Sequence, residues 1–246
     1  MTAFSDEEVE RYARHLMLRE VGGPGQQRLK AGGVLIVGAG GIGSPAALYL
    51  AAAGVGRIGL VDDDTVALSN LQRQVLFSTE DLNAPKVERA KARLHALNPH
   101  VVVVPHAARL TAANARALVG GYDVVLDGTD DFPTRFVVNA ACVAEEKPLV
   151  SAALGRWEGQ VGVFRGRPCW RCLVPDVPPD AETCAAVGVV GALAGVLGSM
   201  AALETVKLFT GAGISLTARL MIYDALAGQV RTVAVAADPA CPVCGG

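Results

Sequence analysis

The sequence predicts an α/β chain with a doubly wound, mainly parallel sheet. Three observations lead there. Short Val/Ile/Leu runs recur through the first two thirds of the 246 residues, continuous enough to be strands buried on both faces. Longer stretches of helical spacing separate them, the alternation that builds right-handed βαβ units. The first run opens into Gly38-Ala39-Gly40-Gly41-Ile42-Gly43, a glycine-rich turn leading into a helix, which makes the sheet Rossmann-like.

Taken in order, residues 5–20 read as an amphipathic helix. Ser5 caps it and Glu8 stands at capping-box spacing. A glycine-rich loop at 22–25 and a short polar helix near 26–30 follow. Strands are expected at 34–37, 57–61, 101–104, 123–126 and 148–153. Helices are expected between them near 42–53, 86–97, 111–119 and 133–145. Beyond residue 157 the pattern is less regular. A strand at 160–164 precedes a Cys pair, a proline-rich loop, a long apolar helix at 188–209 and two late antiparallel strands near 219–223 and 229–235. The whole chain, 1–246, reads as a single domain. It divides into an N-terminal helical arm (1–30), a nucleotide-binding core (31–156) and a metal-binding, dimerising part (157–246).

With 51% hydrophobic residues the chain can bury a sizeable core, and a net charge of −2 argues against nucleic acid as a partner. The first residues, rich in Asp and Glu, do not look like a secretory leader. The apolar run at 187–203 is shorter than the roughly 20 residues that a membrane span needs. No membrane association is expected, and the chain reads as cytoplasmic.

The glycine turn lets the backbone approach a phosphate at a helix N-terminus, and Asp62, ending the next strand, can bond ribose hydroxyls. On that motif alone NAD would be the favoured ligand. The polar residues around it argue otherwise. Asp64, Ser69, Asn70, Arg73 and Lys86 follow the second strand, and Asp130 and Asp131 follow the fourth. In an open parallel sheet these strand ends share one crevice. A dinucleotide has little use for two cations and a further carboxylate, whereas a triphosphate needs cations for its oxygens and a carboxylate for magnesium. An NAD-dependent oxidoreductase with a structural zinc remains the alternative of another class.

Cys169-x-x-Cys172 and Cys241-x-x-Cys244 are two knuckles whose four thiolates suit a tetrahedral structural zinc. Cys142 has the setting of a buried core residue. Cys184 follows the proline-rich loop just before the apolar helix. The four histidines lack ligand spacing to one another or to the Cys pairs.

The glycine turn, the run from Asp64 to Gln74, Pro85-Lys86 and the Asp127–Asp130 segment together resemble the adenylating enzymes related to ubiquitin-activating enzyme. The resemblance spans nearly the whole chain, and the Ser69–Gln74 run is its most specific part. It implies ATP with Mg2+, Gly38, Gly40, Gly41 and Gly43 at the phosphates and Asp62 at the ribose. It implies Asn70, Arg73 and Lys86 around the triphosphate and Asp130 at magnesium. It further implies a homodimer in which Arg14 reaches the neighbouring subunit's site, and a thiol role for Cys184. The implied substrate is a small ubiquitin-like sulfur carrier ending in Gly-Gly, with a sulfurtransferase or cysteine desulfurase as sulfur source. Molybdopterin biosynthesis is the nearer pathway, from the 221–225 stretch. Thiamine biosynthesis is the alternative, from the Cys-Pro-x-Cys-Gly-Gly ending. Asp131 departs from the family pattern, which has Asn there.

Overall fold

The computed structural model describes residues 3–178 and 188–245. Its strands are β1 (Gly33–Val37), β2 (Arg57–Val61), β3 (Val102–His106), β4 (Val124–Asp127), β5 (Leu149–Gly155), β6 (Glu158–Phe164), β7 (Arg219–Asp224) and β8 (Gln229–Ala234). They form one sheet in the order β3-β2-β1-β4-β5-β6-β7-β8. The first five are parallel and the last three are added antiparallel. The winding direction reverses between β1 and β4, which opens a crevice beyond their carboxyl ends. Pro105 is tolerated in β3 because that strand lies at the sheet edge.

The helices are α1 (Asp6–Arg11), α2 (Ala13–Leu16), α3 (Gly22–Ala31), α4 (Gly43–Ala52), α5 (Lys86–Leu97), α6 (Ala115–Gly120), α7 (Phe132–Ala144), α8 (Trp170–Leu173) and α9 (Gly191–Thr210). Alternation along β1 divides the core between two layers. Val34 and Ile36 pack with Leu50 of α4, Leu94 of α5 and Leu197 of α9. Leu35 and Val37 pack on the opposite side with Val119 of α6 and Val138 of α7. Both faces of the central strands are therefore dry, as their continuous apolar runs require.

Three expected element bounds are corrected. The helix at 5–20 breaks into α1 and α2 at Tyr12, which leaves helical geometry to bury its ring while its hydroxyl accepts a hydrogen bond from Asn98 Nδ2 at 2.9 Å. The loop at 22–25 is instead the first turn of α3, where Pro24 lacks a donor that a helix start does not need. The helix at 111–119 begins only at Ala115, because Asn114 Oδ1 accepts from the Thr111 backbone N–H at 2.8 Å and closes a turn there.

Helix α9 runs for 20 residues and is long and apolar enough, by length and composition, to cross a membrane, contrary to the sequence estimate. It serves instead as a core helix against α4 and β5, with Leu193, Ala194, Leu197, Gly198, Ala201 and Ala202 buried. Gly191 is needed within the chain, since a Cβ there would stand 2.1 Å from the Gln72 carbonyl oxygen. Gly195 faces open space, flanked on the outer face by exposed Val196 and Leu203.

Candidate active site

A cavity of about 580 Å3 fills the crevice between the ends of β1 and β4, a size suited to a small-molecule ligand. The turn after β1 forms its floor. The Gly38 N–H donates to the Val61 carbonyl at 2.9 Å, the last rung of the β1–β2 ladder, and its φ of +89° then turns the chain away from the strand. Gly43 starts α4 in close contact with the turn, since a Cβ there would lie 1.9 Å from the Gly38 oxygen. Gly40 and Gly41 line the cavity, where the α4 N-terminus favours anionic groups.

Asp62 stands just past β2. Its Oδ2 accepts from Ala39 N at 2.8 Å and its Oδ1 from Asp64 N at 2.9 Å. Burial pushes its carboxyl above the usual range, opposed chiefly by the nearby Lys86 ammonium. Lys86 opens α5 and is itself buried. Its Nζ is 2.8 Å from Asp64 and 4.0 Å from Asp62. Arg73 projects from the turn after the 3-10 segment Leu68–Asn70, with its Nη1 donating to the Ser69 carbonyl at 3.0 Å. Asn70 Oδ1 accepts from Ala67 N at 3.1 Å, which shapes that turn, and the residue also lines the cavity.

From the other side, buried Asp127 ends β4 and accepts from both Thr129 N and Thr129 Oγ1, at 3.0 and 2.7 Å. This hairpin of contacts presents Asp130, exposed, at the cavity rim. Asp131 caps α7, accepting from Thr134 N at 2.9 Å. A carboxylate suits a helix N-terminus, which gives the departure from Asn a local physical role.

The cavity thus gathers Gly38, Gly40, Gly41, Asp62, Asp64, Asn70, Arg73, Lys86, Asp130 and Asp131. Gly43 lies behind them, and Ser69 contributes its carbonyl to Arg73. Arg14 is exposed and does not line its own chain's cavity. Cys184 lies outside the described residues. Sequence reasoning missed Gln74 and Arg135. Gln74 is buried beside the cavity, and among the described residues its Oε1 has no hydrogen-bond partner. Such a buried orphan acceptor is costly unless a bound group satisfies it, and this favours occupancy by a polar ligand. Arg135, also buried, donates to the Thr129 and Ala152 carbonyls and steadies the loop that carries Asp130. Its helical position looked like that of any surface cation, and no local signal could have found it.

The four cysteines converge as expected. Cys169 Sγ is 3.7 Å from Cys241 Sγ, Cys172 Sγ is 3.3 Å from Cys244 Sγ, and all four sulfurs lie within 4.8 Å of one another. A zinc tetrahedron with bonds of about 2.3 Å has edges of about 3.8 Å, so the donor set and spacing fit that ion. Burial works against a Cys241 thiolate, but the backbone N–H groups of Val243 and Cys244 outweigh it and bring its pKa down to about 7. Cys142 is buried in the core, and its thiol is pushed well above its usual range by that burial.

Residues 12–243 match the model of the ThiF family. The chain belongs to the ThiF family. This ThiF-family chain is 47% identical to the sulfur carrier protein adenylyltransferase of Thermus thermophilus, over 98% of its own length and 93% of that protein's. It is 45% identical to the molybdopterin-synthase adenylyltransferase of Escherichia coli, with both chains fully covered. It is 51% identical to the adenylyltransferase and sulfurtransferase MOCS3 of Bos taurus, spanning only 54% of that longer protein. Among solved structures, PaaA superposes with a TM-score of 0.80 at 26% identity, covering 96% of this chain and 76% of that one.

Proposed function

We propose that the chain is a MgATP-dependent adenylyltransferase acting on the C-terminal glycine carboxylate of a small ubiquitin-like sulfur carrier that ends in Gly-Gly. The observation that carries this reading is the meeting of Arg73 and Lys86 with Asp62 and Asp130 around one cavity at the switch point of the sheet. The family membership and the adenylyltransferase names of the relatives support it, and they leave the oxidoreductase alternative without support. Those names also point to sulfur carriers and molybdopterin synthase, so molybdopterin biosynthesis is preferred to thiamine biosynthesis.

The glycine turn receives the phosphates and Asp62 the ribose. Magnesium, when bound, would neutralise phosphate oxygens, with Asp130 as its holding residue. Lys86 exchanges its contact with Asp64 for a phosphate oxygen, and Arg73, which lines the same cavity, meets the same charge. The carrier's carboxylate attacks the α-phosphorus, its bond to the pyrophosphate oxygen breaks, and an acyl-adenylate forms. Fixed cations in a partly dry cavity stabilise charge as it develops on the phosphates. Arg14, exposed and outside its own cavity, is assigned to the neighbouring subunit's site in a homodimer. The four cysteines are assigned to structural zinc, and Cys184 is the candidate thiol acceptor. The adenylate would then pass to a sulfurtransferase or a cysteine desulfurase, a reading supported by the bovine relative's double name. All of these steps belong in the cytoplasm.

Mass spectrometry of the carrier after incubation with MgATP and the protein tests this. The expected product is a carrier heavier by one adenylyl group, absent when the carrier lacks its terminal glycine. An unmodified carrier, with ATP bound to the protein, would overturn the proposal.

A further inference from the structure

Helix α7 begins at the nucleotide cavity and passes the four-cysteine knuckle. One face of it, at spacings of three and four residues, carries Phe132, Arg135, Phe136 and Asn139. Asn139 is 1% exposed and uses both ends of its amide. Its Oδ1 accepts from the Trp170 backbone N–H at 2.8 Å, and its Nδ2 donates to Cys169 Sγ at 3.5 Å. The orientation is fixed, because a backbone N–H can only donate and must meet the oxygen. An amide N–H then points at the Cys169 sulfur, which suits a metal-bound thiolate as acceptor.

Trp170 lies between the first two thiols of the knuckle, yet its side chain also belongs to the cavity wall, with Val174 and Pro178. Its ring packs edge-on against Phe136 at 5.3 Å and tilted against Phe132 at 6.4 Å. The Arg135 guanidinium lies 6.0 Å from the same ring and bonds the Thr129 carbonyl, next to Asp130. The knuckle and the nucleotide loop are thus held by one helix face through a single indole.

We propose that Asn139 is a positioning residue that locks the cysteine knuckle onto α7 and, through Trp170, sets the wall of the nucleotide cavity. The inference rests on the zinc and ATP assignments made above. Hydrogen-bond partners of metal ligands typically contribute 10–100-fold in metal affinity.

The test uses the full chain in a Trp157→Phe background, which leaves Trp170 as the remaining one of two tryptophans. Zinc affinity is measured by chelator competition, and ATP affinity by the change in Trp170 emission at saturating zinc. Asn139→Asp keeps the acceptor for Trp170 but turns a carboxylate on the Cys169 sulfur. Zinc affinity should fall about 10–100-fold, with Trp170 emission and ATP affinity close to the parent once zinc is saturating. Asn139→Ala loses both ends. Zinc affinity should fall, and at saturating zinc the Trp170 emission should shift and ATP bind several-fold more weakly. Leu29→Ala, on α3 in the core layer on the other side of the sheet, serves as a destabilised control that should move neither reading. Parental zinc affinity in Asn139→Asp would overturn the inference, as would parental emission and ATP affinity in Asn139→Ala. If Asn139→Ala does not fold, the zinc measurement on Asn139→Asp decides alone. A parent protein that takes up no zinc overturns the metal assignment together with the inference, whereas normal zinc uptake with unaffected variants overturns the inference only.

Discussion

Two glycines of the same turn should respond in opposite ways to a single added methyl group. At Gly43 the added Cβ would stand 1.9 Å from the backbone oxygen of Gly38, and backbone cannot swing aside as a side-chain tip can. Overpacking of this kind costs about 3 kcal/mol. Replacing glycine in a helix by alanine returns about 1 kcal/mol. The net loss is about 2 kcal/mol, or roughly 4–8 °C in Tm for a chain of this size. At Gly40 the nearest atom to an added Cβ is Gln74 Nε2 at 3.8 Å, an ordinary contact. Gly40→Ala should therefore unfold within about 2 °C of the parent in the absence of nucleotide, since a neutral substitution changes stability by under about 0.5 kcal/mol. Its methyl group enters the cavity, however, so the thermal stabilisation by MgATP should shrink, because that shift reads ligand concentration against Kd. Thermal unfolding of both variants with and without MgATP makes the comparison. A Gly43→Ala protein as stable as the parent, or a Gly40→Ala protein with a full ATP shift, would refute the reading of the turn.

Freshly purified protein should carry about one zinc per chain, and Cys244→Ser or a strong chelator should lower its Tm; metal analysis and thermal unfolding check this. Arg14→Ala and Asp130→Ala should each be inactive in adenylation, and subunit exchange between them should restore up to about a quarter of the activity per site, since half the dimers are mixed and each has one intact pocket. Burial works to raise the Asp81 carboxyl, but hydrogen bonds from Ser78 and Arg89 outweigh it and hold its pKa below the usual range. Its contribution is therefore full above about pH 4 and fades as pH falls through the lowered value. Asp81→Ala should cost about 1–2 kcal/mol at pH 7, with the gap in Tm narrowing on acidification.

The parts of the fold that were legible in the sequence are those set by local pattern. Strand β2 and helix α5 fall on their expected residues because apolar runs and helical spacing are both local signals. The break at Tyr12 was not legible, since it depends on Asn98, far along the chain. The same divide runs through the site. The convergence of Arg73, Lys86, Asp62 and Asp130 on one cavity was legible because strand ends converge by topology alone. Arg135 and Asn139 were missed because their partners are carbonyls, a backbone amide and a sulfur brought near only by folding. Gln74 stood inside the most specific motif, but its orphan oxygen is visible only once burial is known.

Exchange of labelled pyrophosphate into ATP, run with a carrier ending in Gly-Gly, tests the central claim most directly. Exchange reads the reversible formation of the acyl-adenylate and requires no sulfur donor. The account expects carrier-dependent exchange, lost when the terminal glycine is removed and reduced by at least about 100-fold in Asp130→Ala, as removal of one charge-stabilising group commonly produces, with the Tm unchanged. An absence of exchange with every Gly-Gly carrier tried, from protein that binds MgATP, would contradict it.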